Sequence, residues 1–285
     1  MTTTFTIVIP THDRRETVVL AARSVLAQTR SPLELLVLCD GCTDGTERAL
    51  EELGDERLVP LSLPKLPGYA YGHRNVSLER ARGTAIMWMG DDDLLLPDHL
   101  ERLGAAWDSG RFDIVTSPAA VVHPDDSFDW CGENWGLERN RIALQRDNSN
   151  VMASVSVSVA LARKAGGWDP AVPRAGDWDL WKRVLAAGGR ATALSEPTVL
   201  HFRATGRVQS WPDRVQQNTA WSVRLTDPDG LAQVRWALGM LRDGREARLR
   251  NMLTERESEL AWLRATRWWR LRGWLGRVGR RLTRR

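Results

Sequence analysis

Apolar runs and polar turns alternate in a regular order along the first third of the chain. FTIVIP (5–10) is a continuous apolar run with β-branched residues, which predicts a strand buried on both faces. TVVLAARSVLAQT (17–29) has helical spacing, LELLVLCD (33–40) predicts a second strand, and RLVPLSL (57–63) a weaker third. In the turn before TERALEEL, Asp44 and Glu47 are spaced like a capping box. AYGHRNVSLERAR (70–82) predicts a helix leading to a fourth strand, TAIMWMG. This alternation implies an α/β fold, with an open, mostly parallel sheet and helices on both faces. Ligands bind such sheets beyond the carboxyl ends of the strands. Three of those ends carry PTHDR, CDG and GDDD, so three polar groups should converge on one rim.

The second half is less regular. FDIVTSPAAVV (112–122) predicts another strand, and residues 124–150 a loop. The alternating VMASVSVSVALA (151–162) suits a half-buried strand, and GDWDLWKRVLAAGG (176–189) an amphipathic helix with glycine at its end. No internal repeat or low-complexity linker is present.

The stretch WMGDDDLLLPDHL sets Asp91, Asp92 and Asp93 side by side, and such a triplet repels itself. Helix capping, a solvated turn and a bound cation are the competing explanations. Pro97 suits the first helical position of PDHLERLGAAW, with Leu96 as the cap. The triplet then lies upstream of the helix end, and Asp98 and Glu101 already supply first-turn acids. A hard divalent ion takes carboxylate oxygens and is the explanation the sequence favours.

Composition changes the picture in two places. At 42% hydrophobic and 27% charged, the 285-residue chain has the balance of a globular protein. No run approaches eighteen apolar residues, and MTTTFTIVIPTHDRR lacks a basic leader ahead of an apolar core. A cytoplasmic protein with reduced cysteines is expected, because Cys39, Cys42 and Cys131 are too few for a disulfide framework. Charge is unevenly spread. Nine arginines and no acid fall in residues 264–285, which leaves 31 basic residues against 36 acids in residues 1–263. Within that tail Trp268, Leu271, Leu275, Val278 and Leu282 form one helical stripe with Trp274 beside it. Arginine and tryptophan around such a stripe predict an interfacial helix on an anionic membrane surface, peripheral at the inner face. Docking on the body or on a second chain is the rival, and the acidic body argues against nucleic acid. The domain division expected is 1–225 and a helical extension over 226–285.

The series TIVIPTHDR, SVLAQT, ELLVLCDGCTDGT, RNVSLERARG, GDDDLLLPDHL, GGWDP and GDWDLWKRV resembles the family-2 glycosyltransferases of the GT-A fold over roughly residues 4–205. The resemblance implies a Rossmann-like sheet without a GxGxxG loop. It also implies inverting transfer of a sugar from a nucleotide diphosphate to a saccharide or lipid-linked acceptor. By that resemblance Asp40 meets the nucleotide base, with Cys39 replacing the preceding family acid, and Thr11 and His12 border the base. Arg74, paired with Asn75, reaches the diphosphate or lies on a solvated helix face. Asp91 meets the ribose, Asp93 holds Mg2+ or Mn2+, and Asp92 is a substitute between them. Asp177 takes the catalytic-base position, with N-capping as its plain alternative and Asp179 as fallback. His201 is a further metal or diphosphate contact. Trp130 and Trp135 fall in the acceptor-side region, where sugar stacking competes with core packing. A non-catalytic nucleotide-sugar binder and a sugar-phosphate nucleotidyltransferase are the alternatives, although PTHDRRE lacks the glycine-rich loop expected of the latter.

Overall fold

The computed structural model describes residues 2–30, 33–148, 150–202, 210–245 and 257–259. The chain divides into two compact units, Met1–Gly239 and Met240–Arg285, and the basic stripe over 264–285 lies outside the described residues. In the first unit β1 (Phe5–Thr11), α1 (Arg15–Leu26), β2 (Leu33–Asp40), α2 (Thr46–Glu51), β3 (Leu58–Leu63), α3 (Tyr71–Arg80) and β4 (Ala85–Trp88) follow the predicted alternation. After them come β5 (Leu94–Leu95), α4 (His99–Trp107), β6 (Ile114–Thr116), β7 (Ala119–Val122), β8 (Phe128–Cys131) and α5 (Glu138–Leu144). The remaining elements are β9 (Val155–Ser158), α6 (Val159–Lys164), α7 (Gly176–Ala186), β10 (Ala191–Ala193), β11 (Val199–Phe202) and α8 (Trp211–Thr226).

A seven-stranded sheet runs β10-β6-β9-β4-β1-β2-β3, parallel except where β9 pairs antiparallel with β4 and β6. A second sheet, β5-β11-β7-β8, stands apart from it. The apolar run of β1 divides between two cores, as a strand buried on both faces must. Phe5, Ile7 and Ile9 pack with α1 and α4, and Val8 packs on the other side with Trp88, Trp168 and Trp181. That second core carries a chain of ring contacts, Tyr71–Trp168–Trp88–Trp181–Trp135. Trp135, 1% exposed, therefore belongs to the core and is no sugar platform, and Trp130 is half-buried on β8.

Several local expectations are corrected. FDIVTSPAAVV splits between the two sheets, because Pro118 has no N–H to continue a ladder. The 124–150 segment contains β8 and α5. VMASVSVSVALA opens with a 3-10 turn, yields the short β9 and ends in α6, and β9 is almost wholly buried. Its serines are satisfied internally: Ser156 Oγ donates to Val115 O at 2.8 Å and accepts from Trp107 Nε1 at 3.0 Å. Polar alternation signalled solvent, but a small hydroxyl with two partners is equally at home inside. The proposed capping box at α2 does not form. Gly45 is the cap, Asp44 Oδ1 accepts from Thr46 N at 3.0 Å, and Glu47 accepts from Ser62 Oγ. The α4 helix starts at His99 with Asp98 at its cap position, two residues later than Pro97 and Leu96 implied.

Candidate functional site

The acidic triplet leaves β4 at the middle of the large sheet, beside the end of β1. Each acid meets a basic side chain of the protein itself. Asp91 accepts from Thr11 Oγ1 at 2.8 Å and from Arg14 Nη1 at 2.9 Å. Asp93, 2% exposed, accepts from His201 Nδ1 at 2.8 Å and from Gly90 N at 3.2 Å. Asp92 Oδ2 lies 3.5 Å from Arg214 Nη1, and its carbonyl accepts from Asn218 Nδ2 at 2.6 Å. Gly90 makes this fold-back possible, since a Cβ there would stand 3.0 Å from Asp93 Oδ2 and 3.1 Å from Asp92 Oδ1. These partners lie 77 to 126 residues away along the chain, and they offset part of the repulsion without a bound cation.

Compensation is incomplete. Burial, with Asp93 and Asp91 adding their repulsion, pushes the Asp92 carboxyl up to about 7 despite Arg214 and Arg14. Burial also raises Asp91 against the pull of Arg14 and Thr11. At His201 burial disfavours the charged ring, yet the adjacent Asp93 outweighs it and the pKa rises. A turn of under-compensated carboxylates next to an imidazole is a donor set that fits a hard divalent ion. Asp93, Asp92 and His201 could hold one only after a shift, because their ligand atoms do not all lie within 4.8 Å of one another. A separate group, Asp13, Cys42 and Asp44, gathers its ligand atoms within 4.8 Å of one another. Its carboxylates are engaged in closing turns: Asp13 Oδ1 accepts from Thr43 N at 2.6 Å and Asp44 Oδ2 from Arg15 N at 2.9 Å.

Asp40, at the end of β2, is fastened to the loop that follows β3. Its oxygens accept from Lys65 Nζ at 2.6 Å and Leu66 N at 2.8 Å, and His73 Nε2 lies at 3.3 Å. Burial favours the neutral acid, but those donors, Lys65 first, outweigh it and hold the carboxyl below its usual range. Gly41 (φ +65°) passes beneath this loop, where a Cβ would come within 2.7 Å of Lys65 Cβ. His12 is exposed at the same rim, 3.9 Å from Asp13. Cys39 is packed in the core, where burial pushes its thiol up and keeps it unreactive.

On the other side of the rim α7 begins at Gly176, after Ala175 in the left-handed region (φ 52°). Gly176 N donates to the Tyr71 hydroxyl at 3.0 Å, and a Cβ on Gly176 would lie 2.7 Å from Tyr71 Cζ. Asp177 stands in the first turn, so the N-cap alternative fails. Its Oδ2 accepts from Asn148 Nδ2 at 3.3 Å. Burial raises its pKa against the Trp178 N–H and Arg74. Asp179 is committed to Arg183 by bonds of 2.6 and 2.9 Å, which removes the fallback base. Arg74 is not on a solvated face. Its guanidinium lies 4.6 Å from the Trp168 ring and 5.0 Å from Tyr71, and burial lowers its pKa against the opposing pull of Tyr71, Asp177 and Asp91. Asn75, its sequence neighbour, clamps the Trp168 backbone through both amide atoms.

Thr11, Asp91, Asp92, Asp93 and His201 are gathered at the β4 turn, Arg74 and the start of α7 meet at Tyr71, Asp40 is held on the flanking strand and His12 is at the edge. Sequence reasoning missed Arg14, Tyr71, Arg214 and Asn218. Arg14 sits inside the quoted PTHDRRE, and Arg214 and Asn218 are four apart on one helix face, but nothing local names their partners.

The profile of glycosyl transferase family 2 matches residues 6–165. The succinoglycan biosynthesis protein ExoO of Rhizobium meliloti (strain 1021) is 27% identical over 213 residues, 70% of this chain and 60% of that protein. WfgD of Escherichia coli, a UDP-Glc:alpha-D-GlcNAc-diphosphoundecaprenol beta-1,3-glucosyltransferase, is 34% identical over 95 residues, 33% of this chain and 37% of that one. The chain thus matches less than two thirds of the length of either relative. S. aureus TarS 1–349 in complex with UDP-GlcNAc shares the fold, with a TM-score of 0.60 at 16% identity over 78% of this chain and 66% of that one.

Gly176→Ala tests the seating of α7. The added methyl is expected to cost about 1–3 kcal/mol, seen as a melting temperature several degrees lower. Gly239→Ala, with nothing within 4 Å of its new Cβ, is the control and should not melt lower. Equal melting of both variants would contradict the contact.

Proposed function

The chain belongs to glycosyl transferase family 2, and from that membership we propose that it moves a sugar from a nucleoside diphosphate to an acceptor hydroxyl, inverting the anomeric carbon. The observation that carries the reading is Arg74, whose guanidinium stands over the Tyr71 and Trp168 rings while the Tyr71 hydroxyl accepts the N–H of Gly176, the residue before Asp177. Donor-side and acceptor-side groups then face one reaction centre.

In this reading Asp40 and Thr11, with His12 at the edge, receive the base, and Asp91 the ribose. Asp93 and His201, with Asp92 in reserve, hold Mg2+ or Mn2+, which when bound stabilises the charge of the departing diphosphate. Arg74 adds a fixed cation at the diphosphate, preorganised by the two rings beneath it. Asp177 accepts the proton of the attacking hydroxyl. Its burial suits that task, because a carboxylate with a raised pKa is a stronger base.

ExoO and WfgD are named for glycan assembly, and WfgD for a polyprenyl-diphosphate acceptor. A saccharide or lipid-linked acceptor at the cytoplasmic membrane face is therefore the substrate class proposed. Among the described residues no helix is long and apolar enough to cross a membrane. Peripheral attachment through the basic stripe of residues 264–285 is the contact proposed.

Slow donor hydrolysis needs no acceptor and tests the chemistry. A panel of nucleotide sugars is incubated with the wild type and Asp93→Ala, in Mn2+, in Mg2+ and in EDTA. One donor should be cleaved only with metal, and Asp93→Ala should lose about 100-fold or more. Cleavage that survives EDTA would overturn the metal role.

Flotation with vesicles containing anionic lipid tests the tail. The full chain should float and the chain ending at residue 263 should stay with the soluble fraction. Equal flotation would refute this attachment.

A further inference from the structure

The C-terminal part of the first unit meets the acidic turn at three places. His201 on β11 bonds Asp93, and Trp211 at the start of α8 lies 4.9 Å from the Arg14 guanidinium that bonds Asp91. One turn further along α8, Arg214 faces the Asp92 carboxylate and Asn218 binds the Asp92 carbonyl. Arg214 and Asn218 are four residues apart and so share one face of the helix. A capping box between Ser210 and Asp213, with Pro212 in the first turn, fixes where that helix begins. His201, Trp211, Arg214 and Asn218 all lie beyond residue 165, where the family match ends.

Arg214 is 5% exposed and Asn218 is fully buried. A guanidinium so enclosed is poorly placed to touch a donor entering from solvent, and the acid beside it is the middle one of the triplet. Asp91 has the Arg14 guanidinium and Asp93 the His201 imidazole as hydrogen-bond donors, and without this helix Asp92 would have no such side-chain partner close by. Both grips fall on the same residue, one on its carboxylate and one on its backbone.

We propose that Arg214 is a positioning residue. Its fixed positive charge balances Asp92 while Asn218 pins the backbone of the turn, so that Asp93 and His201 are in place before any ion or donor arrives. The inference deepens the glycosyltransferase reading and rests on it for the role of Asp93. The pairing of Arg214 with Asp92 is tested separately from that role.

The test is thermal melting of the full chain after EDTA, then with added Mn2+, for the wild type, R214Q, D92N and R214Q/D92N. R214Q should melt well below the wild type without metal. Removing the Asp92 charge in the same chain should recover about half of that loss or more, since the two residues act as one unit. Mn2+ should raise R214Q by clearly more than it raises the wild type, because the ion then supplies the missing charge. If R214Q fails to fold, Arg214→Lys, which keeps the charge, should melt close to the wild type and Arg214→Met should not.

Loss in R214Q without recovery in R214Q/D92N would mean that Arg214 serves packing only, and would overturn the proposal. A Mn2+ shift that is present and of equal size in the wild type and R214Q would overturn it too. No Mn2+ shift in any variant, together with recovery by D92N, would retain the pairing and sink the metal reading of Asp93 instead.

Discussion

Three consecutive carboxylates, two buried and the middle one half-buried, are the constraint around which this protein is arranged. Two like charges about 4 Å apart repel by about 4 kcal/mol at an effective dielectric constant of about 20, and a buried charge without a partner costs more. The chain answers with groups from three separate regions. Thr11 and Arg14 come from the end of β1 and the turn after it, His201 from β11, and Arg214 and Asn218 from α8. A parallel sheet makes this possible, because adjacent strand ends bring Thr11 and Asp91 together although 80 residues separate them. The compensation stops short of neutrality, which leaves Asp92 pushed up to about 7.

A second network holds the opposite side of the rim. Tyr71 stacks on Trp168, Trp168 packs edge-on against Trp88, and the Tyr71 hydroxyl takes the N–H of Gly176. The position of Asp177 is thereby tied to the interior of the sheet rather than to a loose loop. Arg74 is set on the faces of the same two rings, where burial lowers its pKa. Core packing and the electrostatics of the site are the same interaction here, which is why aromatic residues that looked scattered in sequence gather beneath it.

The first four strands and three helices were legible because long β-branched runs and helical spacing leave few other ways to bury them. The second half was harder for particular reasons. Pro118 cuts one apolar run into two sheets, and the serines of β9 mimic a solvent face while bonding inside the protein. The site divides in the same way. Asp91, Asp93, Arg74 and Asp177 stand in short motifs whose residue types and order announce them. Arg214 and Asn218 look like ordinary members of a capped helix, and only the tertiary fold reveals what they face. The fallback Asp179 shows the reverse case, a motif residue that an ion pair with Arg183 removes from consideration.

The account stands on a divalent ion meeting the β4 turn, and one measurement addresses that directly. Crystals grown with Mn2+ and UDP, with diffraction recorded at the manganese absorption edge, locate the ion by its anomalous signal. The account predicts a peak beside Asp93 and His201, with the diphosphate next to it. A peak at Asp13, Cys42 and Asp44 instead, or none near Asp93 while UDP is bound, would contradict it.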